Sequence, residues 1–292
     1  MSANDGTISW RRLWDDTASL IGRPQARWLC EEASGAFGGE FLEVLAEPVT
    51  ERSLANLDAM LARLQEGEPL QYVLGHWSFR RLDLLVDSRV LIPRPETELV
   101  AELAIASARQ AVAEFVDRPL PMADLGTGSG AIGLSLALEL PRGVAEVWLT
   151  DVSLDALDVA RANTAGLGMA AALVQFGHGS WFQALPGSIR GRLAVVVSNP
   201  PYIAHGDPAV EASVREWEPG VALFADEHGL AHVREIAVGA AEWLRPGGRL
   251  ILEIGTGQGA AVARVLADAG LDHVEVRPDL AGHDRIASAR RK

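Results

Sequence analysis

The chain has 292 residues, 48% of them hydrophobic, 22% charged and 6% aromatic, a composition that can build a sizeable core and excludes disordered and collagen-like chains. Against 26 Lys and Arg stand 39 Asp and Glu, and the resulting formal charge of −13 argues against a protein that grips duplex phosphates. One cysteine, Cys30, allows neither an intramolecular disulfide nor a multi-cysteine zinc cage; with no apolar leader and no run of about 20 apolar residues, a cytoplasmic protein is expected.

Length alone gives a prior of about two domains. In the first part, Trp10, Leu13, Trp14, Ala18 and Ile21 recur at helical spacing, as do Leu54, Leu57, Leu61 and Leu64. A helical domain over residues 1–70 is predicted, with Thr50 or Ser53 capping the second of these helices. Trp10, Trp14 and Trp28 suit core packing, and a partner-facing groove would use the same residue type. From Gly67 the pattern breaks into short apolar runs punctuated by Gly and Pro. Residues 71–96 read as a hairpin followed by a rigid Pro-rich linker, with Thr97 a candidate N-cap for a helix running towards Phe115.

Over residues 97–292 strand-like and helix-like segments alternate. Strands are predicted at 120–125, 146–150, 172–176, 193–198 and 249–254, several apolar on both faces as a buried parallel sheet requires. Helices are predicted at 131–140, 153–164 and 230–244, and two further strands at 273–276 and 285–289. This order specifies a doubly wound α/β domain.

The first strand runs into Asp124-Leu125-Gly126-Thr127-Gly128-Ser129-Gly130-Ala131-Ile132-Gly133, where glycines let the backbone approach a ligand closely. Gly128, Gly130 and Gly133 match the dinucleotide-binding pattern, and Asp151 ends the next strand where a ribose-binding acid would stand. The same residues satisfy the Asp-x-Gly-x-Gly-x-Gly turn of class I methyltransferases, so both cofactors remain open here. A second turn, Glu253-Ile254-Gly255-Thr256-Gly257-Gln258-Gly259, looks alike but is followed by too little chain to head a nucleotide-binding half, and reads as structural first.

Ser198-Asn199-Pro200-Pro201-Tyr202 decides between them. An amide nitrogen is a poor nucleophile because its lone pair is delocalised into the carbonyl. The side-chain carbonyl of Asn199 and the backbone carbonyl of Pro200 can each accept from a planar NH2 group and aim its nitrogen at a methyl donor. The prolines fix those carbonyls in advance, and Tyr202 offers a flat face. A dehydrogenase has no use for this arrangement.

The chain resembles the HemK/PrmC family of peptide chain release factor N5-glutamine methyltransferases. The resemblance runs from about Gly67 to the end, on Gly67-Glu68-Pro69-Leu70-Gln71-Tyr72-Val73-Leu74-Gly75, Leu91-Ile92-Pro93-Arg94-Pro95-Glu96-Thr97-Glu98, the first glycine turn, Asn199-Pro200-Pro201-Tyr202-Ile203, and Glu218-Pro219 with Ala222-Leu223. It implies a class I, Rossmann-like S-adenosylmethionine-dependent methyltransferase sheet over residues 97–292, preceded by a small all-helical substrate-recognition domain. It further implies that Gly126, Thr127, Gly128, Ser129 and Gly130 wrap the methionine part of S-adenosylmethionine, that Asp151 takes the ribose hydroxyls, and that Trp181 lies beside the adenine. Asn199 would contact cofactor and substrate, with Pro200, Pro201 and Tyr202 lining the slot for the glutamine side chain. The implied product is S-adenosylhomocysteine and the implied partner the Gly-Gly-Gln loop of class I release factors, with a monomeric enzyme as the default.

Arg94 and Glu96 fit a lid, a substrate-positioning role or an ion pair, and stay outside the catalytic set. His228 and His232, spaced i, i+4, read as exposed helix residues without a third ligand, and no metal is expected. Three alternatives remain: an adenine-N6 methyltransferase acting on DNA or RNA, which poses the same exocyclic-amine problem; a non-catalytic cofactor-binding module; and an NAD-dependent oxidoreductase.

Overall fold

The computed structural model describes residues 7–208 and 210–292. It divides into two compact units, one ending at Gly75 and the other running from His76 to Lys292.

The first unit is helical. Helix Trp10–Ile21 is capped by Ser9, whose side chain accepts from Arg12 N, and Gly22 (φ +87°) turns the chain into Arg23–Ser34. Thr50 caps Glu51–Gln65, its hydroxyl accepting from Ser53 N, and Leu70–Leu74 closes the unit. Trp10 is buried and meets Phe41 edge-on, the half-buried Trp14 packs on the same ring, and Trp28 stays 41% exposed. Leu29, Phe41, Leu45 and Leu57 complete this core.

The second unit opens with a hairpin, β1 (His76–Phe79) and β2 (Leu82–Leu85), so the segment expected as one linker divides between the end of the first unit and the start of the second. Helix Pro95–Glu114 begins three residues earlier than expected, capped at Arg94 and with Pro at its first position, so Thr97 lies inside the first turn and is not its cap.

Then follow β3 (Leu120–Leu125), β4 (Ala145–Asp151), β5 (Val174–His178), β6 (Leu193–Ser198), β7 (Ile203–Ala204), β8 (Phe224–Ala225), β9 (Leu244–Glu253), β10 (Asp272–Pro278) and β11 (Asp284–Arg290). Seven of them form one sheet in the order β10-β11-β9-β6-β3-β4-β5. The five strands from β9 to β5 are parallel, and β11 and β10 close one edge antiparallel. This is the class I methyltransferase sheet. Every residue of β3 and β6 is buried, which explains why both are apolar except for Asp124 and Ser198. β5 starts two residues later than expected because Ala172 and Leu173 turn the chain after the 3-10 segment Gly168–Ala171, and β9 starts five earlier, passing through Pro246-Gly247-Gly248. The two-residue pair β7–β8 brackets the excursion between 205 and 223.

Arg80, at the hairpin tip with a left-handed φ of +52°, ties the hairpin down. Its guanidinium makes two bonds to Glu139 (2.7 and 3.0 Å) and one to Glu102 (2.8 Å), while its backbone N–H donates to Glu98 Oε1 (2.9 Å). Arg80 and Glu139 are only 15% and 10% exposed, so removing one strands the other. Arg80→Ala is expected to lower unfolding free energy by about 3 kcal/mol, measured by urea denaturation.

Candidate active site

Parallel pairing in register sets Leu125 of β3 beside Ser198 of β6, and the Ser198 hydroxyl donates to the Leu125 carbonyl at 2.6 Å. The turns beginning at Gly126 and Asn199 therefore stand side by side at the carboxyl edge, where the direction of strand addition reverses and open α/β sheets hold ligands. They border a cavity of about 320 Å³. Gly126, Thr127, Gly128 and Ser129 line it from the first turn, Asp151 from the end of β4 and Trp181 from the segment after β5. Asn199 and Pro201 face it from the second turn. The other three predicted site residues lie off its wall. Gly130 (φ +88°) starts helix Ala131–Glu139, Pro200 is buried, and Tyr202 turns its hydroxyl to Glu253.

The glycine turn is organised by a buried acid. Asp124 Oδ2 accepts from Thr127 Oγ1 at 2.6 Å and from Gly133 N at 2.9 Å, clamping the loop to the first turn of its helix. Asp124 Oδ1 is buried without a hydrogen-bond partner, and burial, with some repulsion from Asp151, pushes this carboxyl up to about 6. Asp151 accepts from Gly128 N (3.0 Å) and Ser153 N (2.9 Å); burial moves its pKa upward against these bonds. Gly126 (φ +69°) allows Trp181 to lie against the turn, since a Cβ there would come within 3.3 Å of the indole. Trp181 Nε1 donates to Glu235 (3.0 Å), and the His232 ring lies 5.2 Å from the indole, tilted against it.

The Asn199 amide is held by a chain of side chains. Its Nδ2 donates to Thr97 Oγ1 (3.4 Å), which donates to Glu253 Oε2 (2.7 Å); the Tyr202 hydroxyl donates to Glu253 Oε1 (3.2 Å). Glu253 is buried and burial pushes it up to about 6, while burial and the neighbouring Glu253 charge raise the Tyr202 phenol. Thr97 and Glu253 were invisible as site residues because one reads as a cap and the other as part of a look-alike turn.

Arg94 pairs with Glu218, not with Glu96, and Glu218 Oε2 also accepts from Ile92 N (3.1 Å). This pins the Pro-rich segment to the Glu218-Pro219 motif beside the cavity. Asn163 bonds Leu85 through both its amide groups (2.7 and 3.1 Å) and donates to Ser129 O (2.9 Å), joining the hairpin to the glycine turn with no sequence signal. The two histidines do not share a helix face: His228 has a left-handed backbone (φ +57°) before helix Ala231–Trp243, and His232 lines the cavity.

A family model described as the PrmC N-terminal domain matches residues 21–75, and one described as the methyltransferase small domain matches residues 105–216. A release factor glutamine methyltransferase of Vibrio cholerae is 42% identical over 234 residues, spanning 80% of this chain and 77% of that protein. Its counterpart in Neisseria gonorrhoeae is 40% identical over 268 residues, spanning 92% and 93%. Among solved structures, a release factor-specific protein-(glutamine-N5) methyltransferase of Alicyclobacillus acidocaldarius is 28% identical, covering 69% of this chain and 94% of that one, with a TM-score of 0.41.

The raised Asp124 carboxyl sets a pH dependence. An acid whose folded pKa exceeds its unfolded value contributes stability that is full below about 4 and lost as pH rises through about 6. Between pH 5 and 7 the ligand-free wild type is expected to lose about 1 kcal/mol relative to Asp124→Asn, read from denaturation curves of the two proteins at each pH.

Proposed function

The chain belongs to the release factor glutamine methyltransferase family, and from that premise we propose that it moves the methyl of S-adenosylmethionine to the side-chain amide N5 of the glutamine in the Gly-Gly-Gln loop of class I release factors. The observation that carries this reading is the Asn199-Pro200-Pro201-Tyr202 turn set beside the glycine turn over one cavity, with the NH2 of Asn199 engaged by Thr97.

The chemistry of the cavity suits S-adenosylmethionine. Asp124 Oδ1 is a buried acceptor without a partner, fitting an ammonium group. Asp151 keeps lone pairs for vicinal ribose hydroxyls, and Trp181 offers a flat face to the adenine. The bound cofactor supplies an electrophilic methyl on a sulfonium sulfur. Asn199 Oδ1 and the Pro200 carbonyl accept the two N–H groups of the incoming amide and leave its nitrogen aimed at the methyl donor. Pro200 and Pro201 hold that geometry before the substrate arrives. Orientation of this kind is worth up to about 7–11 kcal/mol, and the surplus proton on nitrogen passes to water after transfer.

The helical unit serves recognition in this reading. It exposes Leu20 (69%), Trp28 (41%), Phe37 (49%) and Leu42 (51%), apolar side chains that a protein partner can cover.

Labelled methyl from S-adenosylmethionine is expected on a purified release factor and absent from its Gln-to-Ala loop variant and from adenine-containing oligonucleotides. Asn199→Ala is expected to lower kcat about 100- to 1000-fold with cofactor affinity changed by less than about fivefold. Label on the oligonucleotides would instead assign the tetrad to adenine chemistry.

A further inference from the structure

The second glycine turn has a buried carboxylate that the proposed transfer leaves without a task. Glu253 is 1% exposed, and a charge held there is costly unless both oxygens are used. Both are: Thr97, which lines the cavity, donates at 2.7 Å, and Tyr202, from the Asn199 turn, donates at 3.2 Å.

An ionised carboxylate only accepts hydrogen bonds. The single hydrogen of Thr97 is therefore committed to Glu253, and its oxygen has only lone pairs to offer. The group of Asn199 that can face it is Nδ2, at 3.4 Å, which turns Oδ1 the other way. Were the acceptor at 253 replaced by a donor, the Thr97 hydrogen could turn to Asn199 Oδ1 and the amide could flip. We infer that Glu253, acting through the Thr97 hydroxyl, is a positioning residue that sets the direction of the Asn199 amide and the stand of Tyr202.

The rest of the turn serves the same purpose. Gln258 Nε2 donates to the Tyr202 carbonyl (3.1 Å), while its Oε1 accepts from Gly255 N (2.8 Å). Gly255 gives the tyrosine ring room, since a Cβ there would stand 3.2 Å from Tyr202 Cδ2. Arg285 of β11 donates to Thr256 Oγ1 (3.2 Å) and to the Ile254 carbonyl (3.4 Å), bracing the turn from behind. The charged and titratable groups that act on Glu253 are Arg285, Glu96 and Tyr202.

This inference rests on the proposed amide methylation at Asn199, and its test separates the two. Full-length wild type, Glu253→Gln, Thr97→Val, Thr97→Ser and the Glu253→Gln/Thr97→Val double variant are assayed for methyl transfer to a release factor, with cofactor affinity measured by calorimetry. Thr97→Val and Glu253→Gln are expected to lower kcat about 10- to 100-fold, with KM for the release factor and Kd for the cofactor within about threefold. Thr97→Ser keeps the hydroxyl and is expected within about threefold of wild type. The double variant is expected to be no slower than its slower parent, because both substitutions break one chain of bonds.

Losses that multiply in the double variant, or wild-type kcat in both single variants, would overturn the inference. So would a Thr97→Ser variant as slow as Thr97→Val. Should Glu253→Gln fail to fold, the Thr97 pair decides alone. A wild type that leaves the release factor unlabelled overturns the methylation reading itself, before any variant is compared.

Discussion

The site depends on one register. Leu125 and Ser198 end two neighbouring parallel strands side by side, and the Ser198 hydroxyl donates to the Leu125 carbonyl within the sheet. Both residues are fully buried, so the bond replaces water that neither group can reach. A shift of one residue would reverse the faces of β6 and carry Asn199 away from Gly126. Everything that follows, from the cavity to the direction of the Asn199 amide, builds on these two strand ends being level.

Buried carboxylates then do the local work. Asp124 lies near the end of β3 and binds its own loop; Glu253 ends β9 and binds residues from elsewhere in the unit. Each is held above its ordinary pKa by burial, so each carries a desolvation cost that a neutral side chain would avoid. What a carboxylate offers in return is polarity without ambiguity. It accepts and never donates while ionised, so every hydroxyl or amide bonded to it is told which way to face. Glu218 does the same at the rim, accepting from Arg94 and from Ile92 N to hold the Pro-rich segment beside the cavity wall.

How much of this was legible in the sequence depended on whether the constraint was local. The first glycine turn and the Asn-Pro-Pro-Tyr segment are local: a positive φ asks for Gly, fixed carbonyls ask for Pro, and both leave their mark at adjacent positions. The parallel strands are legible because burial on both faces leaves β3 and β6 apolar apart from Asp124 and Ser198 near their carboxyl ends. Thr97 and Glu253 are 156 positions apart, and nothing in either neighbourhood announces the other. Asn163 is hidden for the same reason, a residue in the last turn of helix Leu154–Ala165 whose partners are in the hairpin and the glycine turn. The histidine spacing misled because periodicity assumes a continuous helix, and the left-handed turn at Glu227 and His228 breaks it.

The two glycine turns make the same point from the opposite side, since their sequences are alike and their surroundings are not. The first follows β3, which has parallel neighbours on both sides, so the loops beyond β4 and β6 stand back and leave a cavity in front of it. The second follows β9, whose outer neighbour β11 runs antiparallel and returns along the turn. Ile254 N donates to the Arg285 carbonyl at 2.9 Å, and the Arg285 guanidinium covers Thr256. The second turn is thus covered by a strand where the first borders the cavity. Topology, not the glycine pattern, decides which turn has space for a cofactor, and the space lost at the second is filled by residues that hold Tyr202 and Thr97.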